Sequence, residues 1–470
     1  MAQSGVSSVP GLRRVLGVRD LALFYFATTF SLRWIAAAAG AGPSALSLWV
    51  FAAAAFFVPL AFAVLDLSAR HPEEGGIYVW SRTAFGPFAG FLTGWAYWAA
   101  NLPYFPSLLY FGAANALFMG GPETQQALSG SSSYFFGVAL AGIGLAAGLN
   151  ILGLGVGKWI TNAGGLAIWI AVSFLPLAGG YCWWRYGSAT AFPPSSFLPG
   201  TTLKDFVFLS TIAFAYGGLE GASTMGDEIA EPARTVPRAI LWATGLITGF
   251  YMVGTAAILL ALPREQVTGL QGFMQATQAI ALKVDAPWLV PFLALCVTVA
   301  TFGGVAGWFA ATARLPFVAG VDALLPPAFG RVHPRWHTPH VALIVQAVAA
   351  VGFIWLGQAG TSVRGAYEAL VSMSIIVNFV PFLFMFAAVF RFQREPLPAG
   401  AVPVPGGPVV ARLLAVVGFV VTALAILLAC VPGDAEPDKA LAVMKIVGAS
   451  SAILLLGAGL YWSRSGSRRG

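Results

Sequence analysis

Charged side chains are scarce in this 470-residue sequence. Asp, Glu, Lys and Arg make up 9% of the residues, whereas a soluble domain has about 25%. Hydrophobic residues make up 58%, and the mean hydropathy is +0.80. This composition excludes a soluble globular protein and predicts a polytopic membrane protein. The net charge of +7 is spread among short loops, so it does not indicate a nucleic-acid partner.

Residues that build catalytic and metal sites are also few. The three cysteines lie in separate apolar segments and form neither a metal-ligand spacing nor a disulfide framework. The histidines between residues 333 and 340 have a spacing that suits a metal, but the surrounding prolines favour a solvated loop. The predicted spans contain no paired histidines and no HExxH motif, which argues against a membrane-embedded enzyme. We expect no cofactor and no metal.

Long apolar runs fill most of the chain. A membrane-spanning helix needs about 20 apolar residues, and glycine, proline and charged residues divide the sequence into twelve candidate segments. These twelve segments are 20–41, 46–68, 87–118, 134–154, 158–184, 206–226, 237–262, 287–317, 340–357, 364–390, 410–431 and 441–462. In the connection 263–286, we expect a short surface helix.

Basic residues predict the orientation of these segments. With twelve spans both termini lie on one side, and 17 of the 25 Lys and Arg residues fall on that side. Seven fall on the other side, and Arg33 lies within the first segment. Because basic loops stay in the cytoplasm, we expect a multi-pass protein of the bacterial inner membrane with both termini cytoplasmic.

The sixth segment contains residues that an ordinary membrane helix avoids. Gly217, Gly218 and Gly221 surround an acid, Glu220. Glycine in a helix interior costs about 1 kcal/mol relative to alanine, and a carboxylate at the bilayer centre costs about 2.5 kcal/mol or more. The pattern predicts a helix that breaks in mid-membrane and lines a cavity. The alternative is close helix packing through the glycines, with an acid that reaches the surface.

The first segment has a similar interruption. It carries the polar and small residues TTFSLRW in mid-span, five segments before YGGLEGAS of the sixth. Interrupted helices at matching positions of two halves are typical of inverted-repeat transporters, which bind substrate near the bilayer midplane. The sequence contains no ATP-binding glycine loop, so the energy would come from an ion or substrate gradient.

Four stretches together resemble a known group of permeases. LSARHPEEGGIYVWSRTAFGPFAGFLTGW follows the second segment, and the sixth exits through E-x-x-x-P-x-R-x-x-P-R-A at residues 228–239. The eighth segment reads GGVAGWFAATARLPFVAGVDALLPPAFGRV, and the tenth contains SMSIIVNFVPFLFMFAAVFRF. This sequence resembles the amino acid–polyamine–organocation superfamily over segments one to ten. Arginine/agmatine-type antiporters are similar in segments six, eight and ten, and polyamine uptake permeases are similar at residues 219–223.

The resemblance implies a fold class and a division of the chain. It implies an all-α integral membrane protein with twelve transmembrane helices and a five-plus-five inverted repeat of the LeuT type. The first repeat would span 20–184, the second repeat 206–390, and two additional helices 410–462, within a single transporter domain at 1–470. Segments one and six would unwind around the substrate.

The resemblance also implies a set of site residues. It places Glu220 at a proton-coupling carboxylate. It places substrate contacts on the third, sixth, eighth and tenth segments, at Phe105, Leu108, Phe214, Gly217, Gly218, Trp308, Ser374 and Asn378. Aromatic residues among them suit an ammonium group through cation–π contacts, although a purely structural role for any one of them is equally consistent with the sequence.

The first segment departs from the pattern that this resemblance implies. Relatives usually carry G-S-G at the break, where bare N–H groups bind the substrate carboxylate, but residues 28–33 contain no glycine. The substrate-binding candidates there are Thr28, Thr29, Ser31 and Arg33. Either Thr and Ser side chains hold the break open, or the carboxylate is bound in another way.

Arg33 and Glu220 allow several interpretations. Burial favours the neutral form of a carboxylic acid and a bound amine favours the charged form, so Glu220 suits proton coupling. Alternatively, Glu220 is a static partner of Arg33. Arg33 cannot lose its proton, so it needs Glu220, backbone carbonyls of segment six or a substrate carboxylate, unless it reaches the outer surface. Sodium coupling through Thr298 and Thr301 is a further alternative.

We interpret the chain as a secondary active transporter of amino acids that works by alternating access, either proton-coupled or by exchange. Its partners would be an amino acid or amine, a proton and the lipid bilayer. The chief alternative is a polyamine or amine permease of the same superfamily. A membrane-embedded enzyme is a remote alternative, and the sequence has no pore-loop pattern that would favour a channel.

Overall fold

The computed structural model describes residues 17–71, 76–200, 202–221, 229, 232–321, 325–397, 405–433 and 438–467. Regular secondary structure in these ranges is helical. Two predicted features lie partly outside them: the first four residues of the P-x-x-GG-x-Y loop at 72–78, and residues 228, 230 and 231 of the sixth-segment exit at 228–239.

Ten helices cover the first part of the chain. They are α1 (Val18–Thr29), α2 (Leu32–Ala39), α3 (Ser44–Ala52), α4 (Val58–Arg70), α5 (Gly76–Phe85), α6 (Pro87–Ala99), α7 (Asn101–Ala116), α8 (Gly121–Leu128), α9 (Ser132–Leu152) and α10 (Leu154–Tyr186).

Eight helices follow. They are α11 (Leu203–Ala215), α12 (Pro232–Ala261), α13 (Gly272–Lys283), α14 (Leu289–Val321), α15 (His340–Gln358), α16 (Val363–Phe392), α17 (Gly407–Ala429) and α18 (Lys439–Ser467).

In the described ranges, nine helices are long and apolar enough to cross a membrane. One of them joins α3 and α4 through a π-helical turn, Ala53–Phe57. The other eight are α9, α10, α12 and α14 to α18. These nine coincide with nine of the twelve predicted segments, which confirms the multi-pass membrane fold. The first, third and sixth segments are divided into shorter helices, so the twelve-span count stays a prediction.

Proline accounts for the division of the third segment, which the sequence predicts as one helix. The chain turns at Ala100, between α6 and α7, and Pro103 lies in the first turn of α7. Proline has no N–H and cannot bond the carbonyl four residues earlier. The segment therefore begins a new helix at Asn101.

Polar residues define several helix starts. The Ser131 hydroxyl accepts a hydrogen bond from the N–H of Tyr134 at the start of α9. The Ser362 hydroxyl accepts one from the N–H of Gly365 at the start of α16. Such caps satisfy N–H groups that have no partner within the helix.

The predicted helix in the connection 263–286 is present as α13, but it is not a simple surface helix. Phe273, Met274 and Ile280 on one face are fully buried. This face packs against α2, α12 and α14. α13 is therefore part of the core next to the interrupted first segment.

Glycines bring α10 and α14 into close contact. A Cβ atom on Gly164 would lie 2.9 Å from the Cα of Gly303, and one on Gly303 would lie 2.6 Å from the carbonyl oxygen of Ile160. Small residues at such crossings let two membrane helices approach backbone to backbone. The predicted fifth and eighth segments thus form a tight pair.

A buried ion pair joins three helix ends on the predicted cytoplasmic side. Asp66 and Arg70 of α4 pair at 3.1 Å. The Gln393 side chain, just after α16, donates to Asp66 at 2.7 Å, and Arg412 of α17 donates to the Gln393 carbonyl at 2.9 Å. Burying these charges is costly, but the hydrogen bonds offset that cost. The cluster connects α4, α16 and α17.

We predict that a cysteine at Glu123, an exposed position on α8, reacts with a membrane-impermeant maleimide added to intact cells. The reason is the excess of basic residues on the opposite side. The background would lack the three native cysteines, and a cysteine at Arg394 is the matched control that should react only after permeabilisation. The reverse labelling pattern would contradict the predicted orientation.

Candidate functional site

The first segment is interrupted at two residues. α1 ends at Thr29, and Phe30 and Ser31 adopt extended backbone conformations, with φ/ψ of −76°/132° and −144°/134°. α2 begins at Leu32. This interruption lies inside the stretch 28–33 that the sequence predicts as the break, although it contains no glycine.

The sixth segment is interrupted at its glycines. α11 ends at Ala215, a turn covers residues 216–218, and a short 3-10 turn covers 219–221. Gly218 has φ of +132°, a conformation that other residues rarely adopt. The predicted break in the sixth segment is therefore present in the structure.

The two interruptions are in direct contact. The Thr28 hydroxyl lies 3.2 Å from the carbonyl oxygen of Gly218. A Cβ atom on Gly218 would lie 2.8 Å from the Thr29 hydroxyl oxygen and 2.9 Å from the Thr28 carbonyl oxygen. Glycine at position 218 thus permits both the backbone turn and the close approach of the two segments.

Tyr251 of α12 connects both interruptions. Its hydroxyl accepts a hydrogen bond from the N–H of Ser31 at 3.3 Å and lies 2.9 Å from the carbonyl oxygen of Thr29. It also lies 3.0 Å from the carbonyl oxygen of Ala215, at the end of α11. The ring is fully buried and stacks on Trp49 at 4.2 Å between centroids. The Tyr251 hydroxyl therefore forms hydrogen bonds with backbone groups at the ends of both interrupted helices.

Glu220 is buried next to the sixth-segment break. Its Oε1 accepts a hydrogen bond from the hydroxyl of Tyr97 at 3.2 Å, and its Oε2 accepts one from the N–H of Gly218 at 3.0 Å. The side chain is only 4% exposed. Both carboxylate oxygens are thus held by donors from α6 and from the break itself.

Hydrogen bonds extend from Glu220 to the eighth segment. Asn101, at the start of α7, donates to the carbonyl of Tyr97 at 2.8 Å. The indole N–H of Trp308 on α14 donates to the side-chain oxygen of Asn101 at 2.7 Å. Trp308 is therefore connected to Glu220 through Asn101 and Tyr97, a role that the sequence does not reveal.

Arg33 is fully buried in the first turn of α2. Its guanidinium carbon lies 4.0 Å from the ring centroid of Trp34 and 4.5 Å from that of Tyr104, and its Nη1 donates to the Ser107 hydroxyl at 3.0 Å. The alternative in which Arg33 reaches the outer surface is therefore wrong. In the described part of the chain, Arg33 and Glu220 have separate partners, which does not favour a static pair.

Phe214 lies among the aromatic residues around Arg33. Its ring makes edge contacts with Trp34, at 5.6 Å between centroids, and with Tyr104, at 6.4 Å. It also contacts Phe379 of α16 at 5.8 Å. The structure thus brings Phe214 and Arg33 together at the ends of α11 and α2.

The other predicted contact residues are distributed around this centre. Phe105 is fully buried against Phe309, and Leu108 is half-buried one turn further along α7. On α16, the Ser374 hydroxyl donates to its own helix at the carbonyl of Leu370. The Asn378 amide nitrogen lies 3.8 Å from the point where a Cβ atom of Gly217 would be. Whether these residues contact a substrate stays a prediction.

Sequence reasoning missed several polar and aromatic residues of the site. The structure adds Trp34, Tyr97, Asn101, Tyr104, Ser107 and Tyr251. Four of them, between residues 97 and 107, are spaced by four, three and three residues in an otherwise apolar segment. That spacing places the four residues on one face of a helix. A row of polar and aromatic residues on one face could therefore have predicted a site there. Nothing in the sequence distinguishes Tyr251 from other tyrosines.

The two threonines proposed for sodium bond their own helix. Thr298 donates to the carbonyl of Ala294 at 2.7 Å, and Thr301 donates to that of Val297 at 2.8 Å. These bonds are the common arrangement for a hydroxyl inside a helix. They do not favour the sodium alternative.

Comparison with known proteins agrees with this architecture. A family profile described as amino acid permease matches residues 16–450. The chain belongs to the amino acid permease family. This permease is 27% identical over 435 residues to an uncharacterized transporter of Legionella pneumophila, which covers 91% of this chain and 92% of that protein. It is 27% identical over 346 residues to an uncharacterized transporter of Mycobacterium tuberculosis, which covers 72% of this chain and 73% of that protein.

Membership of this family confirms the predicted resemblance to the amino acid–polyamine–organocation superfamily. The protein is a permease in the membrane, with the interrupted helices described above at its centre. The names of these relatives specify no substrate and no coupling ion.

We predict that Gly218→Ala destabilises the permease by about 1–3 kcal/mol, because a side chain at this backbone conformation is strained and would meet Thr28 and Thr29. Thermal unfolding in detergent would measure the loss. The control is Gly221→Ala, where the nearest side-chain atom lies 3.9 Å from the new Cβ. Equal melting temperatures for both variants would contradict the close approach.

We predict that Tyr251→Phe lowers stability by about 1–3 kcal/mol, because it removes the hydroxyl shared by Ser31, Thr29 and Ala215 and leaves buried polar groups unsatisfied. Tyr181→Phe, at an exposed position on α10, is the matched control and should melt like the wild type. If Tyr251→Phe behaves like this control, the hydroxyl does not stabilise the interruptions.

Proposed function

We propose that this permease is a secondary active transporter of amino acids in the bacterial inner membrane. The observation that carries the proposal is the contact between two interrupted helices, with a buried acid on one side and a buried arginine on the other. Helix ends and released backbone groups in mid-membrane suit a small zwitterion. Transport would proceed by alternating access, with both termini cytoplasmic.

A five-plus-five inverted repeat is part of this proposal. The interruptions in the first and sixth segments support it, because they fall at equivalent positions of the proposed repeats 20–184 and 206–390. Substrate would bind between Phe214, Gly217 and the first interruption. Phe105, Leu108, Trp308, Ser374 and Asn378 would complete the surrounding walls.

Glu220 is the group that we propose for proton coupling. The N–H of Gly218 can only donate, so a proton on Glu220 would sit on Oε1, which faces the Tyr97 hydroxyl. A tyrosine hydroxyl can accept as well as donate, so Tyr97 can serve both forms of the acid by rotating its proton. Gly218, which donates to Glu220, also lies against Thr28 of the first segment. The acid is thus connected to both interrupted segments.

The two forms of Glu220 would act on the break differently. The charged form strengthens the hydrogen bond from Gly218, because bonds to ionised acceptors are roughly twice as strong as neutral ones. Protonation weakens that bond at the residue that also contacts Thr28. Proton binding would therefore change how firmly the first and sixth segments are held together, which alternating access requires.

The test is Glu220→Gln, which keeps the shape of the protonated acid and removes its charge. In proteoliposomes we expect the variant to retain exchange of amino acid across the membrane and to lose accumulation driven by a pH gradient. Wild-type uptake should depend on external pH, and that of the variant should not. Glu265→Gln, at an acid that is 75% exposed, is the control and should behave like the wild type.

Two results would count against the proposal in different ways. Gradient-driven uptake by Glu220→Gln with wild-type pH dependence would remove Glu220 from the coupling step. Absence of uptake and exchange for all amino acids in the wild type would contradict amino acid transport itself.

A further inference from the structure

Two nitrogen atoms of Arg33 have no hydrogen-bond acceptor in the described protein. Its Nη1 donates to Ser107, whereas Nε and Nη2 are buried and have no hydrogen-bond partner. Nε and Nη2 lie on the same edge of the planar guanidinium, so their N–H groups point in the same direction. This is the edge that binds both oxygens of a carboxylate in a bidentate pair.

Leaving this edge empty is costly for the protein. Arginine cannot become neutral by losing a proton, and a buried charge without a partner is strongly destabilising. Glu220 would be the obvious internal partner, but neither Nε nor Nη2 of Arg33 reaches it. Its oxygens bind Tyr97 and Gly218 instead. A buried charge of this kind inside a membrane protein is expected to be functional. The described residues offer no acceptor for this edge, so a bound ligand is the natural source of one.

The surroundings of Arg33 favour an anion with a planar acceptor group. The rings of Trp34 and Tyr104 lie over the guanidinium, which leaves its hydrogen bonding to groups in its own plane. The Thr29 hydroxyl, at the first interruption, is also buried without a partner. The first segment thus has unsatisfied polar groups on both sides of its interruption.

Apart from Arg33, the first interruption has few hydrogen-bond donors for a carboxylate. It contains no glycine, and the N–H of Ser31 already donates to Tyr251. The guanidinium of Arg33, two residues after Ser31, offers two parallel N–H donors. These donors could replace the backbone N–H groups that a glycine-containing break would expose. Arg33 therefore explains how a glycine-free break can still receive an acid.

We propose that Arg33 binds a carboxylate of the transported substrate through its Nε–Nη2 edge, so that the permease accepts carboxylate-bearing amino acids and rejects polyamines and simple amines. This inference rests on the proposed function and names the substrate class of that site. An amine without a carboxylate would leave the edge of Arg33 unsatisfied, and a polyamine would place further positive charge beside it. A zwitterion can match both Arg33 and the acidic side of the site.

The experiment measures binding by thermal shift and by uptake competition, with amino acids and their decarboxylated amines as matched pairs. Ornithine with putrescine, arginine with agmatine, and leucine with isoamylamine differ only in the carboxylate. We expect the wild type to bind at least one acid at least tenfold more tightly than its amine. Arg33→Gln should lose at least tenfold in affinity for the acid and should no longer discriminate the pair.

Two further variants sharpen the test. Arg33→Lys keeps the charge but cannot make the bidentate pair, so we expect intermediate affinity. Arg185→Gln, at an exposed arginine at the end of α10, should bind like the wild type. Without ligand, Arg33→Gln should melt at or above the wild-type temperature, because it removes a buried charge that has no counter-ion among the described residues.

Each outcome decides the proposal. Wild-type affinity for the acid in Arg33→Gln, or equal binding of acid and amine by the wild type, would overturn it while leaving the transporter function intact. A ligand-free Arg33→Gln that melts well below the wild type, or does not fold, would show a structural role and would also overturn it. If the wild type binds none of the protein amino acids and none of their decarboxylated amines, the proposed function fails as well.

Discussion

A helix that stops inside a membrane must place its released N–H and C=O groups against protein, because lipid offers them no partner. This constraint governs the centre of the permease. Tyr251 serves Ser31, Thr29 and Ala215 with one hydroxyl, and the carbonyl of Gly218 lies beside the Thr28 hydroxyl. The two interruptions thus satisfy part of each other's requirement for hydrogen bonds.

Glu220 and Arg33 both lie at this centre, but they do not form an ion pair with each other. Glu220 is held by Tyr97 and Gly218, and Arg33 is held by Ser107 and two aromatic rings. In a low-dielectric interior, charges that are fixed before a ligand arrives interact with it strongly and with little reorganisation. Separate partners keep Glu220 and Arg33 out of a closed ion pair, as the proposed binding of a zwitterion requires.

Gly218 connects the charge on Glu220 to the geometry of both segments. Its N–H donates to the carboxylate, its carbonyl lies beside Thr28, and its missing side chain allows the contact with Thr29. The chain Tyr97, Asn101 and Trp308 extends the connection to α14. A change at Glu220 can thus reach the first segment through Gly218 and the third segment through Tyr97.

The sequence alone predicted the membrane class, the family and both interruptions, because apolar runs, glycines and isolated charges are local signals. Of the twelve spans that it predicted, nine are continuous helices in the described residues. It also identified Glu220 and Arg33 as unusual, since any charge in an apolar segment is costly. Tertiary structure alone decided their partners. The packing of segments that are far apart in the chain decides whether Arg33 binds Glu220 or Ser107. It also decides which tyrosine forms hydrogen bonds with the interrupted helices. The sequence around a tyrosine does not indicate which backbone groups its hydroxyl will contact. The partners of Tyr251 are therefore known only from the folded structure.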